Sequence, residues 1–421
     1  MTEVPFALAI PDADLDILHK KLEVTRLPDE LEDARWDYGV PLDDIKRLVA
    51  RWKDGFDWRA SEAAINAIPQ FTRDIDVEGH DTLNIHYIHQ RSALDNAIPL
   101  LFVHGCKCST YLVLYRTDYV AYNVGPGHFM EVSKLLPLLT AVSPDHPSFH
   151  VVAISLPGFG FSEAPKKKGF AITQHAEVGH KLMLALGYNE YVAEGEDLGH
   201  VVTKRIVQHY GGEHAKAWHS NCVFTGPPSF TSTPGQFLKF LVTPFSERER
   251  KDLERAALFR SKGSGYFEEQ TTCPQTLGYS LADSPVGLLA WIYEQLVTWT
   301  DNYPWTDDEV LTWISLYWFS RPGPAASVRI YYEVAAAGDF MNTQWVSVPV
   351  GFSYFPKELI CVPKLWCRAV GNVVLESEHE SGGHFAAHER PKELADDLKK
   401  MFGIGGPAFG VVAGKSGYTT A

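Results

Sequence analysis

The stretch Tyr191-Val192-Ala193-Glu194-Gly195-Glu196-Asp197-Leu198-Gly199-His200 constrains this chain more than any other. An apolar-leaning run closes on Gly-x-Asp-x-Gly, and a helical pattern starts at once, with Val201, Val202, Ile206 and Val207 on its buried side. That order predicts a strand, a tight turn and a helix. Two glycines around one position let the backbone take a strained turn that lifts the central side chain clear of the sheet. Here that side chain is Asp197. A carboxyl with an ordinary pKa of about 3.9 is ionised at neutral pH and can attack carbon without a base, which a serine cannot do. The product of such an attack is a carboxylate ester on the chain itself. A plain loop aspartate fits the short motif equally well, so the rest of the sequence has to decide.

With 421 residues, 45% hydrophobic and 12% aromatic, the chain can bury a large core and exceeds the usual size of one domain. Its net charge of -14, with no basic block longer than Lys166 to Lys168, argues against nucleic acid as a partner. The start, Met1-Thr2-Glu3-Val4-Pro5, lacks a basic region followed by an apolar run, and no stretch has the ~18 apolar residues a membrane span needs. A cytoplasmic location is the expectation. Six cysteines (106, 108, 222, 273, 361 and 367) do not make a disulfide framework in so long a chain. Cys106-Lys107-Cys108 has no second pair at zinc spacing, so no metal is implied, and no cofactor is expected.

The first ninety residues read as three helices and a hairpin: Leu15, Leu18 and Leu22 behind Asp12; Ile45, Leu48 and Trp52 before Gly55; a segment from Asp57 to Pro69; then Ile75 and Val77 against Leu83, Ile85 and Tyr87. His86 and His89 fall on opposite strand faces, which favours structural histidines over a ligand pair. From Ile98, apolar runs bounded by glycine alternate with helices, the pattern of a doubly wound α/β sheet. Gly158-x-Gly160 lacks a third glycine and a suitably placed acid, which excludes a dinucleotide site. Strand signals vanish from about Ser229 to Gly338, as expected of a helical cap, and return at Val348 to Phe355 and Val373 to Leu375 before a closing helix. The expected organisation is an N-terminal domain over 1–95, a core over 96–228 and 339–402 interrupted by a cap over 229–338, and a loose glycine-rich tail over 403–421.

An aspartyl ester is useful only if water can be made to attack it, so a base and its orienting acid should follow the nucleophile in chain order. His384, in Ser381-Gly382-Gly383-His384-Phe385, sits in a glycine turn before the last helix, and Glu358 falls just past a strand end. Glu376, Glu378, Glu380, His379 and His388 are rivals that spacing alone leaves open. The cap offers Tyr266, in Gly265-Tyr266-Phe267, and Tyr331 or Tyr332, in Arg329-Ile330-Tyr331-Tyr332-Glu333. A tyrosine, protonated at pH 7, can donate to an oxygen that becomes an alkoxide when a ring opens, although periodicity alone favours a packing role.

These residues resemble the microsomal-type epoxide hydrolase family, in a form without a membrane anchor, from about Pro5 to Phe402. Arg26-Leu27-Pro28, Trp36-x-Tyr38-Gly39-Val40, Asp57-Trp58-Arg59, Pro69-Gln70-Phe71 and Ile85-His86-Tyr87-Ile88-His89 are similar to the family's N-terminal domain. Asp283-Ser284-Pro285-Val286-Gly287-Leu288, Gly351-Phe352-Ser353 with Phe355-Pro356, and Gly382-Gly383-His384-Phe385-Ala386-Ala387 are equally distinctive. The resemblance implies an α/β-hydrolase fold with a helical cap and an N-terminal helical and hairpin extension. It implies an epoxide and water as reactants, a vicinal diol as product and a covalent aspartyl ester between them. Carried over by position, Asp197 is the nucleophile, Glu358 and His384 activate water, and Tyr266 and Tyr331 donate to the epoxide oxygen; Tyr332 would point about 100° away on a helix. Backbone at Leu198 and Cys106 would form the oxyanion hole. Nothing in the sequence fixes the natural substrate or the oligomeric state, with a homodimer left open.

Two departures stand out. The family's Gly-Gly-Asp-Trp-Gly reads Gly195-Glu196-Asp197-Leu198-Gly199 here, and a misplaced Glu196 would raise the pKa of Asp197. His104-Gly105 should continue as Trp-Pro-Gly, yet 20 residues, 106–125, precede Pro126-Gly127 where one tryptophan is expected. A binding-only relative with a disrupted oxyanion loop is therefore one alternative. A dehalogenase of the same fold is another, disfavoured because Leu198 stands where a halide-binding tryptophan would be. An unspliced intron of whole codons carried into the reading frame accounts for the position and content of 106–125; a native surface insertion is its rival. Replacing 106–125 by one tryptophan is expected to raise epoxide turnover by at least the roughly 10²-fold linked to one oxyanion donor. A shortened protein that folds but turns over no faster would make the segment native.

Overall fold

The computed structural model describes residues 3–105, 126–339 and 344–419. The expected irregular path of 106–125 lies outside the described residues. Nine strands form one sheet: β1 (Val4–Pro5), β2 (Gln70–Asp76), β3 (Thr82–Gln90), β4 (Ile98–Val103), β5 (Phe149–Ile154), β6 (Tyr191–Gly195), β7 (Ala215–Ser220), β8 (Val346–Tyr354) and β9 (Gly371–Glu378). Their spatial order is β1-β2-β3-β5-β4-β6-β7-β8-β9. The first three pair antiparallel, β3 joins β5 antiparallel, and β5 through β9 run parallel. The hairpin of the N-terminal region thus continues the sheet of the core.

Strand alternation sorts the core onto two faces. Leu101, Val103, Val152, Ile154 and Ala193 face one cluster, which receives α5 (Ile172–Ala185) and α6 (Leu198–Tyr210). Leu100, Phe102, Val151, Ala153 and Val192 face the other, against α4 (Leu136–Thr140) and α16 (Pro391–Phe402). The order reverses at β4, whose neighbours β5 and β6 follow it on opposite sides, and such a switch point opens a crevice at the carboxyl ends of the strands. The elbow after β6 lies at that crevice.

Seven helices follow β7 in sequence: α7 (Pro234–Val242), α8 (Glu247–Lys262), α9 (Gly265–Thr272), α10 (Pro274–Asp283), α11 (Pro285–Thr298), α12 (Asp307–Trp318) and α13 (Arg329–Ala337). The N-terminal helices α1 (Asp12–Glu23), α2 (Leu42–Asp54) and α3 (Trp58–Asn66) end within one or two residues of the positions their apolar spacing predicts. Leu18, Leu22, Ile45, Leu48 and Trp52 bury against Leu288, Leu289 and Val310 of the cap. Arg51 adds a bidentate pair to Asp308 at 2.8 Å, and Arg47 pairs with Asp307. The short helices α14 (Lys364–Cys367) and α15 (Ala386–Glu389) complete the chain around β9.

His86 and His89 are structural, as expected. His86, its pKa pushed down to about 3 by burial, bonds Ser155 and Gln70, and His89 bonds Glu3 and Tyr188. The tail differs from expectation. Ser148 donates its N–H to Gly417 O, Gly417 to Asn96 O, and Ala413 to Glu190, while Ala408 and Val412 are buried. Gly405, Gly410, Gly414 and Gly417 all have positive φ, so the glycines that suggested a loose segment serve defined left-handed turns.

Close approach of strand and helix explains the elbow glycines. A β-carbon on Gly199 would overlap the Val103 carbonyl, and one on Gly105 would overlap Leu198 N and Asp197 Cβ. Gly199→Ala should therefore destabilise the protein by about 2 kcal/mol, the usual scale of overpacking, read as a fall in urea midpoint. Gly235→Ala, in open space on α7, should be neutral or stabilising. Equal midpoints for the two variants would show that β4 and α6 separate freely.

Candidate active site

Asp197 sits between β6 and α6 with φ 60° and ψ -127°, a backbone conformation that costs a non-glycine residue about 1–3 kcal/mol. Neighbours hold it there: Glu196 donates its N–H to Val103 O at 3.1 Å, and His200 donates to Asp197 O at 2.9 Å. The residue is only 2% exposed yet lies at the N-terminus of α6, where amides without an intrahelical partner and the helix dipole favour an anion.

His384 and Glu358 are brought to it from β8 and β9. His384 Nε2 lies 3.2 Å from Asp197 Oδ2, and its Nδ1 lies 3.1 Å from both Glu358 oxygens. The last contact assigns Nδ1–H to the Glu358 carboxylate and turns Nε2 toward Asp197. Backbone fixes both partners. His384 N–H donates to Trp299 O, Leu359 N–H donates to Glu358 Oε1, and Lys357 N–H donates to Gly382 O, tying acid loop to base loop. Gly382, at φ 118°, makes the turn before the imidazole. Arg255 of α8 clasps the acid loop by donating to Pro356 O at 2.6 Å and Glu358 O at 3.0 Å.

The rivals lie elsewhere. His379 bonds Asp397, Glu376 bonds Arg368 and Tyr354, Glu378 bonds Arg248 and Lys364, and Glu380 is exposed. His388 stacks on Trp305, with Lys134 at 3.2 Å and Glu309 at 3.7 Å. Tyr331 is 3% exposed and lines a cleft with Pro126, Gln270, Trp291 and Gln295, whereas Tyr332 is 46% exposed, so the helix turns one tyrosine inward as spacing required. Tyr266 packs its ring 5.4 Å from that of Trp299, which meets His384 edge-on at 5.6 Å. Leu198 is buried at the start of α6; Cys106, its expected partner in the oxyanion hole, lies outside the described residues.

Several contributors carry no local signal in sequence. Trp299 and Arg255 act through backbone contacts made across the cap. Cys222 lies beside the triad, its sulfur within 4.8 Å of ligand atoms of Glu358 and His384, the one such grouping suited to a metal ion among the described residues. Glu131 lies against Glu196, which accepts from Asn221 Nδ2 and Ala387 N–H. Only Glu131 had a clue, as the acid three residues after His128 in a helix-capping pattern.

The chain is similar to known proteins over most of its length. Residues 3–112 match the family model "Epoxide hydrolase N terminus". Epoxide hydrolase 1 of Sus scrofa is 35% identical over 432 residues, covering 95% of this chain and 88% of the pig protein. The structure of Aspergillus niger epoxide hydrolase superposes with TM-score 0.77 at 32% identity, over 94% of this chain and 95% of the other. Juvenile hormone epoxide hydrolase of the silkworm Bombyx mori gives TM-score 0.80 at 26% identity, over 94% and 93%. With its N-terminal region matched to the family's own domain and more than a third of its residues shared across nearly its full length, the chain belongs to the epoxide hydrolase family.

Proposed function

We propose that this epoxide hydrolase opens its substrate through a covalent ester on Asp197. The observation that carries the reading is the unbroken contact from Glu358 through His384 to Asp197, all three buried at the crevice. In the first step an Asp197 oxygen bonds to an epoxide carbon, and that carbon's bond to the ring oxygen breaks. The emerging alkoxide takes a proton from Tyr331 or Tyr266. In the second step His384 Nε2 removes a proton from water, and the hydroxide adds to the ester carbonyl. Glu358 stabilises the imidazolium, and the Leu198 N–H faces the tetrahedral oxyanion. Collapse expels the diol oxygen, which takes the proton from His384. The carboxylic acid left on Asp197 releases its proton to the tyrosinate, which restores the tyrosine.

Aspartate needs no base to attack, whereas the ester needs one to leave, so the two steps should separate by mutation. In oxygen-18 water, the first turnover should place protein carboxylate oxygen in the diol. Asp197→Asn should form no ester, and His384→Gln should accumulate it while hydrolysis falls by roughly 10² or more. Solvent oxygen alone in the first-turnover diol would rule the ester out.

The buried Tyr331 and exposed Tyr332 give an internal control for the proton donor. Tyr331→Phe should slow ester formation by roughly 10²-fold, on the scale of one lost transition-state hydrogen bond, and Tyr332→Phe should leave the rate unchanged. Stopped-flow quenching of tryptophan fluorescence on alkylation would follow both. Equal rates in the two variants would return Tyr331 to packing.

A further inference from the structure

Glu196 is the residue beside the nucleophile for which the two-step chemistry has no use. Its side chain is 1% exposed and ties three segments together: Asn221 after β7 donates to its Oε1 at 2.8 Å, and Ala387 N–H of α15, three residues beyond the base, donates to the same oxygen at 2.9 Å. Its other contact is Glu131, 2% exposed, whose Oε1 accepts the His128 N–H at 2.8 Å. Two carboxyl groups in hydrogen-bond contact need a proton between them, because two bare carboxylates repel.

We propose that Glu131 and Glu196 hold one proton between them and act as a positioning pair, locking the nucleophile elbow to the loop after Gly127 and to the segment carrying His384. The kinetic part rests on Asp197 as nucleophile; the pair itself does not. Sharing the proton joins the segments by a strong bond and removes one of two negative charges that would otherwise crowd Asp197.

The groups that act on the pair come from every neighbouring segment: Asp197 of the elbow, His384 of the base loop, Glu358 of the acid loop and His128 through its backbone, with Glu194 of β6 sensing Glu196. Burial, joined by these negative neighbours, raises both carboxyls, Glu196 to about 7 and Glu131 well above the ordinary range. An unfolded glutamate releases its proton near pH 4.3. The folded protein therefore retains protons that the unfolded chain has lost, and the pair's contribution to stability declines as pH rises from there through about 7 and beyond. Above that range the bond should open and the elbow should shift against the base.

Glutamine separates this role from packing, since its amide donates to the remaining carboxylate at any pH. Glu131→Gln and Glu196→Gln should each gain melting temperature relative to wild type as pH rises from 5 to 9. Each should also move the alkaline limb of kcat upward by about one pH unit, a tenfold difference on the flank, with KM unchanged. Glu196→Leu, which can neither donate nor accept, should lower kcat at every pH. Wild-type melting and kcat profiles parallel to both glutamine variants would overturn the proposal. So would glutamine and leucine variants of Glu196 that behave alike. The melting comparison needs no catalysis, so it can fail or succeed apart from the assignment of Asp197, and the two glutamine variants decide the matter even if the leucine variant does not fold.

Discussion

A carboxylate almost wholly removed from water sets the terms for this structure. Burying a bare charge is expensive unless it is paired or hydrogen-bonded. Three arrangements meet that demand at Asp197. The start of α6 presents amides with no helical partner, His384 lies 3.2 Å away, and the adjoining Glu196 keeps its own charge away in contact with Glu131. Each requires the elbow to be held in one place. That requirement explains the positive φ of Asp197 and the glycines at 105 and 199, where any β-carbon would strike backbone. Strain in the turn is compensated by the packing of β4 against α6, so the proposed chemistry and the stability of the fold rest on the same residues.

The sheet supplies the geometry and the cap supplies the enclosure. Parallel strands point their carboxyl ends at one edge, so β6, β8 and β9 each bring one of Asp197, Glu358 and His384 to the others from a rigid support. The cap then acts on the same groups from above. Arg255 holds the acid loop, Trp299 accepts the backbone N–H of His384, and Tyr266 packs on Trp299. The N-terminal region is bound to both layers, through β3 in the sheet and through Arg47 and Arg51 against α12. A displacement of the cap is thereby resisted by parts of the chain distant in sequence.

The elbow and the doubly wound core were legible because each is a local pattern. Glycines around Asp197, apolar runs before Gly105 and Gly195, and a glycine pair before His384 report their own backbone. A helix puts neighbours about 100° apart, so only one of Tyr331 and Tyr332 could face inward, and the resemblance to the family's Arg-x-Tyr spacing pointed to Tyr331. Cys222 was not legible and Glu131 was legible only as a helix-capping acid, since their importance comes from contacts across 136 and 65 residues to Glu358 and Glu196. Glycine composition misled at 403–419, where conformational freedom is used for tight turns. Composition reports what a residue permits, whereas hydrogen-bond partners decide which conformation is taken.

The loop between β4 and the capped helix that starts at Phe129 is where these demands converge. A β-carbon on Gly127 would overlap both Gly105 O and a Glu131 oxygen, so the backbone on the two sides of 106–125 comes together directly beneath the elbow. Trp313 donates to Pro126 O at 2.6 Å and Tyr317 to Gly127 O at 2.5 Å, so α12 of the cap fixes the far side. Gly105, wedged against Leu198 N, fixes the near side. Both flanks are thus set by residues that do not belong to 106–125. The N-terminal helices fasten α12, α12 fastens Gly127, and Glu131 a turn later reaches Glu196 beside Asp197. By this route a contact on the outside of the cap bears on the position of Asp197.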